Sequence, residues 1–528
     1  MIRKRGASGR GRCARKASLL ATAAACVIST PALAQMQPPA PAAGAGDQPT
    51  YGAGALGNAP GPYGLPATPT APGPVGGPPI FISPILGLQE SHTDNANLTE
   101  SDRRSDFVTR LLAGANGQVN LGRLQGTFDG YYAHDWYARD SNLNGKTVFA
   151  NAGGTYTLLR DRLWIEADGT VTNGYTTTFG ESAVSRSGVE GRAQLAVYRI
   201  GPQFQTTVAG LADLAATASF GQVFFSQADS SVVPVLPPTD QIYQVSGRLD
   251  TADRLGRFQL LTTAQWEQDN NGYHNSNGVE SVYFRVAPRL RLIARAGYER
   301  VYQTDAVDIS APLLSAGLEF RPNADSIVTL EGGQRYKRTA WAADANLVLS
   351  RTLSLSASYR ESIAPDQIYV AGSFAEFVAT AALLPPPVVP TTLTPQENLY
   401  NEASFNKTGV VRLNLQDPVN QIVFSATWSE RQFLRTNTVD RTLTGFVTYQ
   451  RQMRQDLSAM VTATYGRTYA SPVYGPSENY GVTANLFYLL TAKADVRGSY
   501  SYVNGRQLSG TRTQYSENVF LIAIEKRF

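Results

Sequence analysis

Read at a spacing of two residues, the stretch Tyr515–Phe528 separates into two faces. Phe520, Ile522, Ile524 and Phe528 share one face, which only Lys526 breaks. Glu517, Ala523, Glu525 and Arg527 share the other, with Val519 and Leu521 as its apolar exceptions. The same alternation recurs from Phe81 onward. Phe258, Leu260 and Trp266 alternate with Arg257, Gln259, Thr263, Gln265 and Glu267. Leu353, Leu355, Ala357 and Tyr359 alternate with Ser354, Ser356, Ser358 and Arg360. Val496, Gly498, Tyr500 and Tyr502 alternate with Arg497, Ser499 and Ser501. The pattern predicts strands of roughly 9–14 residues, each with an oily and a polar side.

Two kinds of connection alternate between these strands. The short kind carries turn residues: Leu121–Leu124, Arg160–Arg162, Ile200–Pro202, Asp253–Gly256, Pro288–Arg289, Arg321–Asp325, Ser350–Thr352, Gln416–Asn420, Met453–Asp456 and Thr491–Lys493. The long kind is polar: Ser91–Asp106, Asp140–Lys146, Asp269–Gly278, Arg435–Asp440, Ala470–Asn479 and Asn504–Thr513. Two further connections, Phe220–Thr239 and Ile363–Asn398, are apolar, and long apolar loops need cover. Either these two fold into the mouth of the structure and narrow it, or they pack as a cap outside. Aromatic residues lie near strand ends at Tyr132, Trp136, Trp266, Tyr302, Tyr336, Trp428, Tyr465, Tyr488 and Tyr502, where interfacial girdles belong.

Beyond the first forty residues no apolar run is long enough for a spanning helix. The fold class predicted is all-β: a transmembrane antiparallel β-barrel of roughly 18–22 strands, with 22 the best count, short periplasmic turns and long extracellular loops. Ten short turns join twenty strands, and a first strand at Phe81–Glu90 and a last at Tyr515–Phe528 complete the set. A soluble sandwich or propeller also alternates, but the chain shows no blade repeat and ends on an aromatic residue.

The amino terminus has its own character. Arg3, Lys4, Arg5, Arg10, Arg12, Arg15 and Lys16 form a basic head, Ser18–Ser29 a short apolar core, and Ala32-Leu33-Ala34 a small-x-small cleavage site. Residues 1–34 are predicted to be a signal peptide. Cys26 fits a lipoprotein signal poorly, because no large aliphatic residue stands three places before it. Residues 35–79, rich in Pro, Ala and Gly with Asp47 their one charge, are predicted to be a disordered periplasmic segment. Residues 80–528 are predicted to be the barrel. Removing the leader takes seven of the 46 basic residues, leaving 39 against 42 acidic, a net of −3 rather than +4. The apparent basicity is therefore no warrant for nucleic-acid binding. Both cysteines, Cys13 and Cys26, leave as well, which excludes disulfide and thiol chemistry from the mature chain.

Candidate chemistry is sparse. His92, His134 and His274 are the three histidines, all near the long-loop rim. His134-Asp135 is the suggestive pair for a rim hydrolase, but strand neighbours point to opposite faces. No catalytic residue, cofactor or metal is expected; Asp94, Asn95, Asn97 and Asp102 are the one set suited to a loop calcium, against the commoner role of a solvated loop. The polar feature that stands out is basic: Arg285, Arg289, Arg291, Arg295, Arg335 and Lys337 take the inward parity, together with Arg321, Glu299, Glu319 and Glu331. Two roles compete for them, an ion-pair lattice that braces the wall and a lane for anionic solutes or acidic polysaccharide.

The opening Phe81–Leu98, its Thr93-Asp94-Asn95-Ala96-Asn97-Leu98 stretch and the Phe-terminated last strand resemble the β-barrel porins of the second type, found in alphaproteobacteria and their relatives. The resemblance covers roughly Phe81–Phe528 on short motifs. It implies an outer-membrane location and a porin-like channel or a conduit for exopolysaccharide export, and it supplies no catalytic residue. The alternative is a structural or adhesive barrel that works through its loops. Expected partners are outer-membrane lipid and lipopolysaccharide, an anionic solute or polysaccharide, and the barrel-assembly machinery, for which Phe520, Ile522, Ile524 and Phe528 form the signal.

Overall fold

A computed structural model of the chain describes residues 79–175, 192–227, 239–365, 402–470, 475–508 and 514–528. The predicted leader and proline-rich segment lie outside the described residues. The rest is one sheet of 22 antiparallel strands. They run β1 (Ile80–Thr93), β2 (Asp106–Asn120), β3 (Leu124–Tyr137), β4 (Gly145–Leu159), β5 (Leu163–Tyr175), β6 (Arg192–Val208), β7 (Ala212–Gln227) and β8 (Asp240–Asp250). Then come β9 (Phe258–Asp269), β10 (Tyr273–Ala287), β11 (Leu290–Gln303), β12 (Val307–Phe320), β13 (Ile327–Arg335), β14 (Arg338–Val348) and β15 (Leu353–Pro365). The last seven are β16 (Ala403–Gln416), β17 (Asn420–Phe433), β18 (Val439–Arg454), β19 (Leu457–Ala470), β20 (Ser477–Thr491), β21 (Ala494–Gln507) and β22 (Gln514–Arg527).

Each strand pairs with its sequence neighbours, and β1 also pairs with β22 from Ile85↔Arg527 to Thr93↔Val519. The sheet therefore has no free edge at its ends; it is a closed barrel. Closure is what lets strands cross hydrocarbon, since every backbone N–H and C=O finds a partner within the sheet. Phe520, Ile522, Ile524 and Phe528 are exposed on the outer surface, while Glu517, Val519, Leu521 and Glu525 are buried within. The outer surface is an apolar belt edged by aromatic rings such as Trp136, Tyr298, Trp341 and Phe528. An apolar exterior on a closed, even-numbered barrel places the protein in the outer membrane.

Ten short turns lie on the rim that also carries both ends of the barrel. Several are built by one side chain. Asp417 accepts the Nδ2–H of Asn420 and the backbone N–H groups of Val419 and Asn420, and these bonds hold its carboxyl below the ordinary carboxylate range. One expected turn moves. Ile200–Pro202 lies inside β6, where Ile200↔Phe220 and Gln203↔Thr217 flank a gap in the ladder. Pro202 has no N–H to donate there, and a Cβ on Gly201 would stand 1.8 Å from the Ala218 carbonyl oxygen. The true turn is Ala209–Leu211, with Ala209 at φ +50° and Gly210 at φ +71°.

The opposite rim is uneven. Connections of two or three residues join β9 to β10, β11 to β12 and β13 to β14. The expected long loop Asp269–Gly278 is thus a tight hairpin at Asn270–Gly272. Of the two apolar connections, Phe220 and Phe224 belong to β7 and pack on the outer surface with Tyr198 and Tyr243, so the apolarity of these two serves lipid contact, while residues 228–238 lie outside the described residues. The larger part of Ile363–Asn398 lies outside the described residues; its first three residues end β15.

Candidate functional site

The inner face of the barrel is its chemically distinctive surface. It is lined by charged pairs that are as buried as a soluble core. Arg110 on β2 reaches Asp135 on β3 at 2.5 and 2.8 Å through Nε and Nη2. Arg295 on β11 lies 2.9 Å from Glu331 on β13, and Arg335 on β13 lies 3.3 Å from Glu299 on β11. Arg431 on β17 meets Asp440 on β18 at 2.7 Å, and Arg497 on β21 meets Glu525 on β22 at 3.1 Å. The first four pairs have no side chain more than 5% exposed. Such pairs contribute little net stability after desolvation, yet removing one partner strands a buried charge.

The six basic residues picked out by parity divide. Arg285, Arg291, Arg295 and Arg335 stand on the inner wall. Arg291 lies 3.7 Å from Glu319, and Arg321 lies 2.7 Å from the same carboxylate. Arg289 and Lys337 do not join them. Arg289 is exposed in the β10–β11 turn, where its carbonyl accepts the Arg321 N–H. Lys337 is exposed in the β13–β14 turn at the opposite rim, at φ +59°. Parity counts faces correctly along a strand, but a turn resets the count.

Tyr336 is a second departure. Expected in the aromatic girdle, it is buried at the β13–β14 turn with φ +51°. Its N–H donates to Glu299, and its ring packs with Tyr273, Val301, Ile363, Ala403 and Phe405. Two consecutive residues in the left-handed region form the turn class suited to two-residue hairpins. Neither is Gly or Asn, so each carries strain of about 1–2 kcal/mol that the contacts must hold in place. That missing signal is why the sequence does not announce the turn.

Not every inner carboxylate has an arginine. Glu267 accepts from the Gln244 side chain, and Asp269 accepts the N–H groups of Asn271 and Tyr273, each at 2.8 Å. These carboxylates are held by amide and backbone donors instead.

The histidines do not assemble a catalytic group. His92, His134 and His274 lie on the outer face, against Phe107 (4.8 Å between ring centroids), Trp136 (4.4 Å) and Trp266 (6.0 Å). Asp135 points the other way, to Arg110. Among the described residues no three His, Cys, Asp or Glu side chains gather as a metal site.

The Thr93–Leu98 stretch is a clasp. Thr93 Oγ1 donates to Glu517 at 2.6 Å, and Asp94 accepts the backbone N–H and the Nδ2–H of Asn518, each at 2.7 Å. Asn95 Nδ2 donates to the carbonyls of Thr99 and Ser516, each at 2.8 Å. Asn97 donates to the Asp102 carbonyl at 2.6 Å and accepts the Arg104 N–H at 3.1 Å. The oxygens suited to calcium are spent on the β1–β22 seam and on the loop's own backbone.

No family model matches the chain, and neither does any curated protein. Solved structures do. The siderophore receptor PirA from Acinetobacter baumannii is 8% identical, with 84% of this chain and 80% of that one covered and a TM-score of 0.46. The ferric-catecholate import receptor Fiu from E. coli is 11% identical, with 84% and 81% covered and a TM-score of 0.45. The outer membrane protein OpdK from Pseudomonas aeruginosa is 8% identical, with 85% and 99% covered and a TM-score of 0.35. Identities this low and superpositions this loose assign no substrate. The barrel reading stands on the closed sheet itself.

Proposed function

We propose that the protein is a passive channel for small polar solutes across the outer membrane. The observation that supports it is the two-sidedness of the wall. An apolar exterior is what lipid requires, whereas charged and amide side chains on the interior serve a wet path. Arg291, Arg295 and Arg335 each lie beside a carboxylate, so we assign them to bracing the wall and do not make the solute an anion. Among the described residues nothing in the wall singles out a polysaccharide. Purified protein reconstituted in a planar bilayer tests the reading. Stepwise current increments in KCl are expected; a correctly folded protein that inserts without conductance overturns it in favour of the adhesive alternative.

A further inference from the structure

One hairpin end turns inward while β16 stays paired with β17 as far as Ser404↔Phe433. Along most strands burial alternates, because one face meets lipid. At the outer end of β15 and β16 it does not: Ile363, Ala364 and Pro365 are all buried, and so are Ala403, Ser404, Phe405 and Asn406. Two hydrogen bonds show where this end goes. Tyr273 Oη donates to the Ile363 carbonyl at 3.0 Å, and the Ala403 N–H donates to Gln303 Oε1 at 2.7 Å. Tyr273 and Gln303 are lumen-facing residues of β10 and β11, paired with each other across that ladder.

Ile363 and Phe405 are themselves a cross-strand pair, and Phe405 shares its parity with the exposed Val411 and Leu415. Their face points to lipid lower down the strand. Here it packs on Tyr273 and Val301 instead. The outer face of the hairpin end therefore rests on the inner face of β10 and β11.

The hairpin between them makes room. The β12–β13 ladder covers only Leu314–Phe320 of β12, and the β14–β15 ladder only Ala343–Val348 of β14. Above those limits β15 and β16 are free to step inside. On its other side the end is tied to the β17–β18 connection. Leu434 N–H donates to the Ala403 carbonyl at 3.1 Å, and Glu402 accepts the N–H of Thr436 at 2.8 Å. It is held on both flanks by residues that the chain places well apart in sequence.

We propose that this inward-turned end of the β15–β16 hairpin sets the size of solute that the channel admits. The proposal rests on the channel reading above. A regular cylinder of 22 strands at the usual spacing and tilt would measure roughly 40 Å between opposite backbones. A hole of that width discriminates among no small solutes, so selection needs something inside the wall. The hairpin end supplies it from the wall itself, with Tyr273 and Gln303 as its fastenings. They are specificity-determining residues in that they hold the narrowing in place.

The experiment compares wild type with a Tyr273→Phe/Gln303→Ala double variant in planar bilayers. The substitutions remove the two fastening hydrogen bonds and keep most of the apolar cluster. Heat-modifiable migration first confirms that each protein is folded. Single-channel conductance of the variant should rise by about twofold or more as the narrowing loosens. The radius of polyethylene glycol excluded from the pore should rise with it. A folded variant with wild-type conductance and wild-type exclusion overturns the proposal. If the variant does not fold, exclusion on wild type alone decides: a pore that excludes small glycols supports the narrowing, and one that admits polymers approaching the full bore sinks it. Absence of any conductance in wild type would sink the channel reading itself, which is a different result.

Discussion

Arg110 and Asp135 meet fork to fork on adjacent strands, with both side chains out of water. The planar guanidinium fits a carboxylate in two parallel bonds, which a lysine cannot reproduce. Arg110→Ala should cost about 3–5 kcal/mol, because Asp135 is left charged and unmatched. Arg110→Ala combined with Asp135→Ala should cost less than Arg110→Ala alone. Urea midpoints in lipid vesicles check both, and additive losses would contradict the pairing. Reading at this scale from sequence works where parity is undisturbed. Arg285, Arg291, Arg295 and Arg335 were legible because they sit inside strands. Lys337 and Arg289 were not, because facing is undefined in a turn, and Tyr336-Lys337 turns without Gly, Asn or Asp to signal it.

Among the elements, the first connection stands apart, because its side chains fasten β1 to β22, the strands farthest apart in sequence. Asn95 is fully buried and bridges its own loop to Ser516 beside the last strand's start. Asn95→Ala would leave the Thr99 and Ser516 carbonyls without that donor, at about 1–3 kcal/mol. The temperature at which the folded form is lost on heat-modifiable gels should fall, and hydrogen exchange should quicken in Tyr515–Val519 before it does in β10. Equal exchange in both would remove the clasp role. The sequence marked this stretch by its Asp and Asn content, but composition does not separate a cation loop from a clasp. Only the register of β1 against β22 does, and that pairing spans more than four hundred residues. The Ile200–Pro202 turn failed for a related reason: Gly-Pro breaks a ladder as readily as it ends a strand.

For the molecule as a whole, strand number was readable because it depends on short turns, which carry local chemistry. Shape was less so. The stepped wall at β13–β14 arises from which distant strands find one another, through contacts such as Tyr273 to Ile363 that no local pattern contains. Closure has its own chemistry. The Phe528 N–H donates to the Pro84 carbonyl at 3.0 Å, and its ring lies on the outer surface. Deleting Phe528 should slow assembly without changing the final fold. A time course of heat-modifiable folding with assembly machinery in vesicles measures it, and equal rates would remove the residue from the signal.

The first and last strands lie side by side, with Ile85 opposite Arg527 and Ser83 Oγ donating to the Phe528 carbonyl. A polypeptide laid out as a ring has no natural beginning. Splicing Phe528 to the start of β1 through a few glycines and opening the backbone at Gln455–Asp456, between β18 and β19, would leave every neighbour relation intact. What would move is the joint made last, and with it the place where a half-built wall first meets itself.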